Sequence, residues 1–199
     1  MSYVRGTLAA LVDAVVPETP ELAELGEEHV AGGLEAGADE LLHERVNQLQ
    51  EADDGIWGAL GYETVPLGPL VAALLDFAAL ELVVRREREG GFESPKAAFA
   101  AGPFSRLAPR DRLRAVRLLE SEGILPRLAE GNEQLGIVQY LAGATVVLVQ
   151  FCYYTELTGD GTDEDGGSLG WTQAGYPGPS DGYAVSMGYE VDEFEEDEY

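Results

Sequence analysis

The sequence predicts a mainly α protein: an irregular helical bundle followed by an extended Gly-, Pro- and Tyr-rich C-terminal segment. Three observations carry that expectation. Apolar residues recur at helical spacing through most of the first 158 positions. With 45% hydrophobic and 25% charged residues in 199, the chain can bury a core. After Gly159 the periodicity gives way to Gly, Asp, Pro, Tyr and Ser. The expected organisation is a helical bundle domain over 1–158, a loop segment over 159–189 that packs on the bundle or on a partner, and an acidic tail over 190–199.

The elements follow from local signals. Leu8, Leu11, Val12 and Val15 sit at i, i+3, i+4 and i+7, and Pro17 stops the pattern. Thr19-Pro20 reads as an N-cap and first helical residue. The segment it opens runs on through Val30, Leu34, Leu41, Leu42, Val46 and Leu49. Gly32, Gly33 and Gly37 each cost a helix up to ~1 kcal/mol, so a break or two helices is expected there. Asp53–Gly68 is a predicted loop carrying Trp57 and Tyr62. Pro69–Glu89 is apolar nearly all round, which predicts a helix at the centre of the bundle, ended by Gly90-Gly91. Arg85, Arg86 and Arg88 complement the dipole at its C-terminal end. Ser94-Pro95 caps a short segment holding Phe99. Pro109–Glu122 is the next helix, with Leu113, Val116 and Leu119 inward and Gly123 as its stop. A last long helix is expected from about Asn132 to Leu157. Its apolar run, Ile137–Cys152, is shorter than the ~20 residues a membrane span needs and reads as a buried core helix.

Charge narrows the function classes. Asp plus Glu number 37 against 12 Lys plus Arg, for a formal net charge of −25. That excludes phosphate-tracking nucleic-acid binding, which needs clustered bases, and disfavours anionic lipid. Lys96 is the only lysine, and the last ten residues hold seven acids. An acidic, lysine-poor surface suits a high-salt cytoplasm, where the Debye length shrinks to about 3 Å and self-repulsion costs little. A halophilic source and a cytoplasmic location are expected. No signal peptide or twin arginine is visible near the start.

The chemistry-bearing patterns are incomplete. Cys152, the one cysteine, excludes an intrachain disulfide, and its apolar neighbours predict a buried structural thiol. Glu40-x-x-His43 is half of a di-iron pattern whose second half is missing, since His29 has Gly26 three positions before it. The loop Asp160–Gly166 lacks two of the ligands an EF-hand needs; a solvated acidic loop is the simpler account. Arg106–Arg117 is the one basic stretch, expected to pair with the chain's own acids, for example Arg117 with Glu120. No phosphate loop, dinucleotide fingerprint or nucleophile elbow occurs. The most specific local feature is Gly170–Tyr183, stiffened by Gly and Pro. Its candidate partner-binding residues are Trp171, Gly175, Tyr176, Pro177, Gly178, Pro179 and Tyr183. Their rings either meet a partner or fold back over the bundle.

Three stretches resemble one family. Leu8–Pro17 with Glu18-Thr19 looks like an opening helix ended by proline. Phe104-Ser-Arg-Leu-Ala-Pro-Arg-Asp-Arg112 looks like a Phe, a short gap, a Leu and an Arg-bearing helix. Phe151-Cys-Tyr-Tyr-Thr155, Leu169-Gly-Trp171 and Gly175-Tyr-Pro-Gly-Pro179 look like a tyrosine-rich helix end and its following loop. In this order and spacing they resemble the gluconate 2-dehydrogenase subunit 3 family. The resemblance implies a non-catalytic small subunit that supports assembly or maturation of a large flavin-bearing subunit of the glucose-methanol-choline (GMC) type. In some complexes a cytochrome c subunit joins them. FAD would then belong to the partner, with no cofactor, metal or catalytic residue expected in this chain, and export would depend on a signal-bearing partner. The alternative is a stand-alone helical binding module of a halophile for a protein or small ligand; a metal-dependent enzyme using His43 is a third reading.

Overall fold

The computed structural model describes residues 2–51, 59–61, 63–91, 102–130, 133–155 and 169–175. These residues form a mainly helical fold. Among them β structure is confined to isolated bridges, one of them the antiparallel bridge between Glu51 and Thr64. The expectations for Trp57, Tyr62, Ser94–Phe99, Asp160–Gly166 and the segment beyond Gly175 lie outside the described residues.

The first helix, α1 (Tyr3–Val15), is capped by Ser2, whose hydroxyl accepts the Arg5 N–H. Every residue from Gly6 to Ala14 is buried. This helix, and not Pro69–Glu89, is the centre of the bundle. Gly6, Thr7, Ala9, Ala10 and Ala14 are small, so neighbours approach on all sides. Gly33 and Gly32 bring the chain back against its end: a Cβ on Gly33 would lie 2.6 Å from Val12 Cγ1, and one on Gly32 2.6 Å from the Glu18 nitrogen.

The expected break at the glycines occurs. Pro20–Leu25 and Glu27–His29 form short 3-10 turns, and α2 (Ala38–Val46) starts after Gly37, which is left-handed at φ 74°. Thr19 does not cap a helix. Its hydroxyl donates to the His29 carbonyl at 2.7 Å, closing the turn segment on itself.

Helix α3 (Gly68–Arg85) is tied to α2 by Asn47, which donates to the His43 carbonyl at 2.8 Å and accepts the Gly68 N–H at 2.9 Å. It stops at Arg86, which takes the left-handed conformation (φ 59°), four residues before Gly90. The glycine pair has another use: Asp111 accepts the N–H groups of Glu89 and Gly90 at 3.1 and 2.9 Å. One face of α3 buries Val71, Ala72, Leu75, Ala78, Ala79 and Leu82. The opposite face is bare, with Val84 80% exposed, so the helix is not enclosed as its composition predicted.

Next come α4 (Pro109–Arg117), a π-helical turn (Leu118–Glu122), α5 (Ile124–Ala129), α6 (Glu133–Tyr154) and α7 (Leu169–Ala174). Val116 and Leu119 are buried as expected, but Leu113 is exposed; the inward face of α4 is Asp111, Arg112, Ala115 and Val116. The cause is Arg112, only 2% exposed, which pairs with buried Asp13 of α1 at 2.7 Å. It also donates to the carbonyls of Ala10 and Ser105, at 3.3 and 3.1 Å. Arg112 thus takes a place on the inward face beside Val116, and Leu113 is left outside it. Arg114 meets Glu89 and Asp111, and Arg117 meets Glu122 rather than the expected Glu120.

Asp76 of α3 accepts the Tyr3 hydroxyl at 2.7 Å and the Phe104 N–H at 2.9 Å, joining α3 to both flanks. Partial burial, helped by the hydrogen bond to the Asp76 carboxylate, pushes the Tyr3 phenol from 10.0 up to about 12. Below pH 10 the phenol keeps its proton in both states and its contribution is whole. Between about pH 10 and 12 the unfolded chain loses that proton first, so stability falls as pH rises. Urea midpoints across this window are expected to fall less steeply for Tyr3→Phe; an unchanged slope would remove Tyr3 from the account.

Candidate protein-docking site

The inner side of α6 carries Thr145, Val149, Cys152 and Tyr153, spaced at i, i+4, i+7 and i+8, the period of one buried helix face. Thr145 turns its hydroxyl back to the Leu141 carbonyl at 2.8 Å, so its polar atom is satisfied within the helix. The outer side is as apolar as the inner one. Tyr140 is 78% exposed and Val147 65%, and Phe151 and Tyr154 continue the stripe. The run is therefore not a wholly buried core helix.

This outer side forms the floor of an open trough of about 850 Å³. Its lining is Tyr140, Gly143, Ala144, Val147, Leu148 and Phe151 of α6, Leu49 from the turn after α2, and Glu120 from the π-helical turn. A Cβ on Gly143 would stand 3.3 Å from Oε1 of Glu120, the far end of an exposed side chain. α3 presents a second bare stripe, Leu70, Ala73, Phe77, Leu80 and Val84, on a separate helix. With aromatic rings offering about 150–250 Å² each when fully bare, the α6 stripe alone leaves on the order of 500 Å² of apolar surface in water. That is near the upper end of about 300–600 Å² for the largest patch on a monomer.

Other candidates sit elsewhere. Trp171 lies on α7 and donates its indole N–H to the Tyr154 carbonyl at 2.6 Å, at the C-terminal end of α6. Gln173 joins the Tyr153 hydroxyl at 2.7 Å to the carbonyls of Glu28 and Ala31, which straps α7 across the bundle. Gly175 follows in the left-handed conformation at φ 63°. Tyr176, Pro177, Gly178, Pro179 and Tyr183 lie outside the described residues. A smaller cavity of about 280 Å³ beside this strap is bordered by His29, Tyr153 and Gln173.

The other titratable groups have structural settings. Glu40 pairs with Arg5, and His29 Nε2 stands 3.8 Å from Glu28. Among the described residues no group of three or more His, Cys, Asp or Glu side chains is placed to hold a metal ion. Burial pushes the Cys152 thiol up to about 11 against the opposing field of Arg45, so it stays protonated at neutral pH and is a poor nucleophile.

Sequence reasoning put the candidate surface in the C-terminal loop and missed both helix stripes. A signal was present: Tyr140, Ala144, Val147, Phe151 and Tyr154 recur at four-three spacing. It was masked because α6 is apolar on its other side too. No described helix is long and apolar enough to cross a membrane. No family model, curated protein or solved structure matches the chain.

Proposed function

We propose that the chain is a non-catalytic accessory subunit of a flavin-dependent dehydrogenase, acting by docking to the large catalytic chain and supporting its assembly. The observation that carries the docking part is the pair of bare apolar stripes on α3 and α6. One patch of this size is within what a monomer shows; two of them on one small chain favour a subunit, which buries them on assembly. The partner's class, a large GMC-type flavoprotein with or without a cytochrome c subunit, comes from the resemblance described above. Two of the stretches behind that resemblance meet in space, Asp13 of the first pairing with Arg112 of the second, and within the third the Trp171 indole donates to the Tyr154 carbonyl. FAD would reside in the partner. The acidic, lysine-poor composition supports a high-salt cytoplasm as the setting, with export beside a signal-bearing partner as the alternative route.

Co-expression with a large GMC-type flavoprotein from the same source tests this reading. A stable complex carrying the flavin absorption spectrum is expected, with neither flavin nor dehydrogenase activity in the small chain alone. A small chain that binds flavin and turns over substrate by itself would overturn it. A stand-alone binding module is favoured by one observation: the α6 trough, at about 850 Å³, falls within the size range of small-molecule pockets. A monomer that recruits no flavoprotein, yet is stabilised by a small apolar ligand, would establish that second reading instead.

A further inference from the structure

The α6 trough has a pattern as well as a size. Tyr140, Ala144, Val147, Phe151 and Tyr154 follow one another at steps of four, three, four and three. Two helices keep a shared seam in line at this spacing by winding at 3.5 residues per turn. At 1.5 Å per residue the seam is about 21 Å long, or roughly two heptads of a facing helix. Small Gly143 and Ala144 sit between large Tyr140 and Val147, leaving a recess for an incoming side chain. The described residues expose no sheet edge near it, so an extended peptide finds no ladder to join. A helix satisfies its own backbone and needs none.

Charge selects among helices. From Gln134 to Tyr154 α6 carries no Asp, Glu, Lys or Arg. The segments that bring Leu49 and Glu120 to the trough carry Glu44, Glu51, Glu120 and Glu122. Against these four acids stand two arginines, Arg45 and Arg117, the latter paired with Glu122 at 2.7 Å, so the acids remain in excess by two. The floor is neutral and its surroundings are acidic. At about 0.1 M salt, where charges act over roughly 10 Å, a second copy of this chain, itself at −25, would meet that surface with the wrong sign, as would the seven acids of residues 190–199.

The geometry points to the α6 trough as the receptor for one amphipathic helix of a partner chain, apolar along an a/d seam and flanked by Lys or Arg. The inference deepens the docking reading above and rests on it for the existence of a partner. Two designed helical peptides of about three heptads test it by fluorescence polarisation against the full chain. Both carry the same Leu/Ile seam; one has Lys flanks and the other Glu flanks. At about 0.1 M salt the Lys-flanked peptide is expected to bind at least tenfold more tightly. Val147→Gln with Phe151→Gln should weaken that binding at least tenfold. Phe77→Gln with Leu80→Gln, on the α3 stripe, should leave it unchanged. All four side chains are exposed, so both variants should fold, which circular dichroism and urea midpoints check.

Equal binding of the two peptides, or indifference to the α6 variant, overturns the inference. So does a dimer of the full chain that the α6 variant makes monomeric, which would identify a second copy as the occupant. Peptide binding that appears only after residues 176–199 are removed would identify the chain's own tail instead. The two readings also fail separately. A flavoprotein complex that survives the α6 variant sinks this inference alone. Lys-peptide binding without any flavoprotein partner sinks the accessory-subunit reading alone.

Discussion

Arg112→Leu is expected to destabilise the fold by about 3–5 kcal/mol, a large share of the 5–15 kcal/mol a domain of this kind holds. The substitution leaves the Asp13 carboxylate buried without the guanidinium that stands 2.7 Å away. It also takes the Arg112 donors from the Ala10 and Ser105 carbonyls. Asp13→Leu should also destabilise, since it removes the acid paired with the buried guanidinium while leaving its bonds to the Ala10 and Ser105 carbonyls. The double variant Asp13→Leu, Arg112→Leu should be less destabilised than the sum of the two singles by at least about 2 kcal/mol, since neither charge is then left alone. Urea titrations of the four proteins complete the cycle. The coupling should persist from about 0.1 to 1 M KCl, because a buried pair is screened far less than a surface one. A single-variant loss below about 1 kcal/mol would show that the pair holds register without holding stability.

The ion pair also explains where sequence reading succeeded and failed. Helix existence was legible, because the apolar spacing in α1, α3, α4 and α6 is strong. Helix orientation was less so. In α4 the pattern placed Leu113 inward, and the buried Arg112, which looks like a surface residue in sequence, reversed that. α1 was read as one amphipathic helix among several. Its small residues, Gly6, Ala9, Ala10 and Ala14, make it the one packed on every side. In a helix rich in Ala, low bulk signals close packing more than weak burial, and hydrophobicity alone misses the difference.

The same ambiguity hid the candidate site. α3 and α6 are apolar all round, and such helices are ordinarily enclosed. Nothing in one sequence says which side lacks neighbours, since that depends on where the other helices go. In this fold α1 takes the centre, and α3 and α6 pack against it by one side each. Their outer sides are left over. On the docking reading proposed above, the excess of hydrophobicity beyond what the core consumes is the trace of docking in this composition, and the acidic surface is its counterweight for solubility.

Gly123→Ala is expected to cost about 2–3 kcal/mol and to loosen the α6 trough as well. At φ −86° and ψ −169° the backbone suits any residue, so space is the constraint. The Gly123 N–H closes the π-helical turn on the Leu118 carbonyl at 2.8 Å. A methyl group would press into that carbonyl oxygen and stand 2.8 Å from Glu81 Oε2. Glu81 is buried, pairs with Arg85, and accepts the Ile124 N–H at 3.0 and 3.1 Å through its two oxygens, starting α5. Displacing it would leave a buried carboxylate and the first N–H of α5 poorly matched. The π-helical turn must then move, and it carries Glu120, which lines the trough. Gly91→Ala is the control: nothing lies within 4 Å of its Cβ position, so its effect should stay within about 0.5 kcal/mol. Urea midpoints read the stability term, and polarisation with the Lys-flanked peptide reads the trough. Loss of stability with unchanged peptide binding would mean that Glu120 is not what shapes the site.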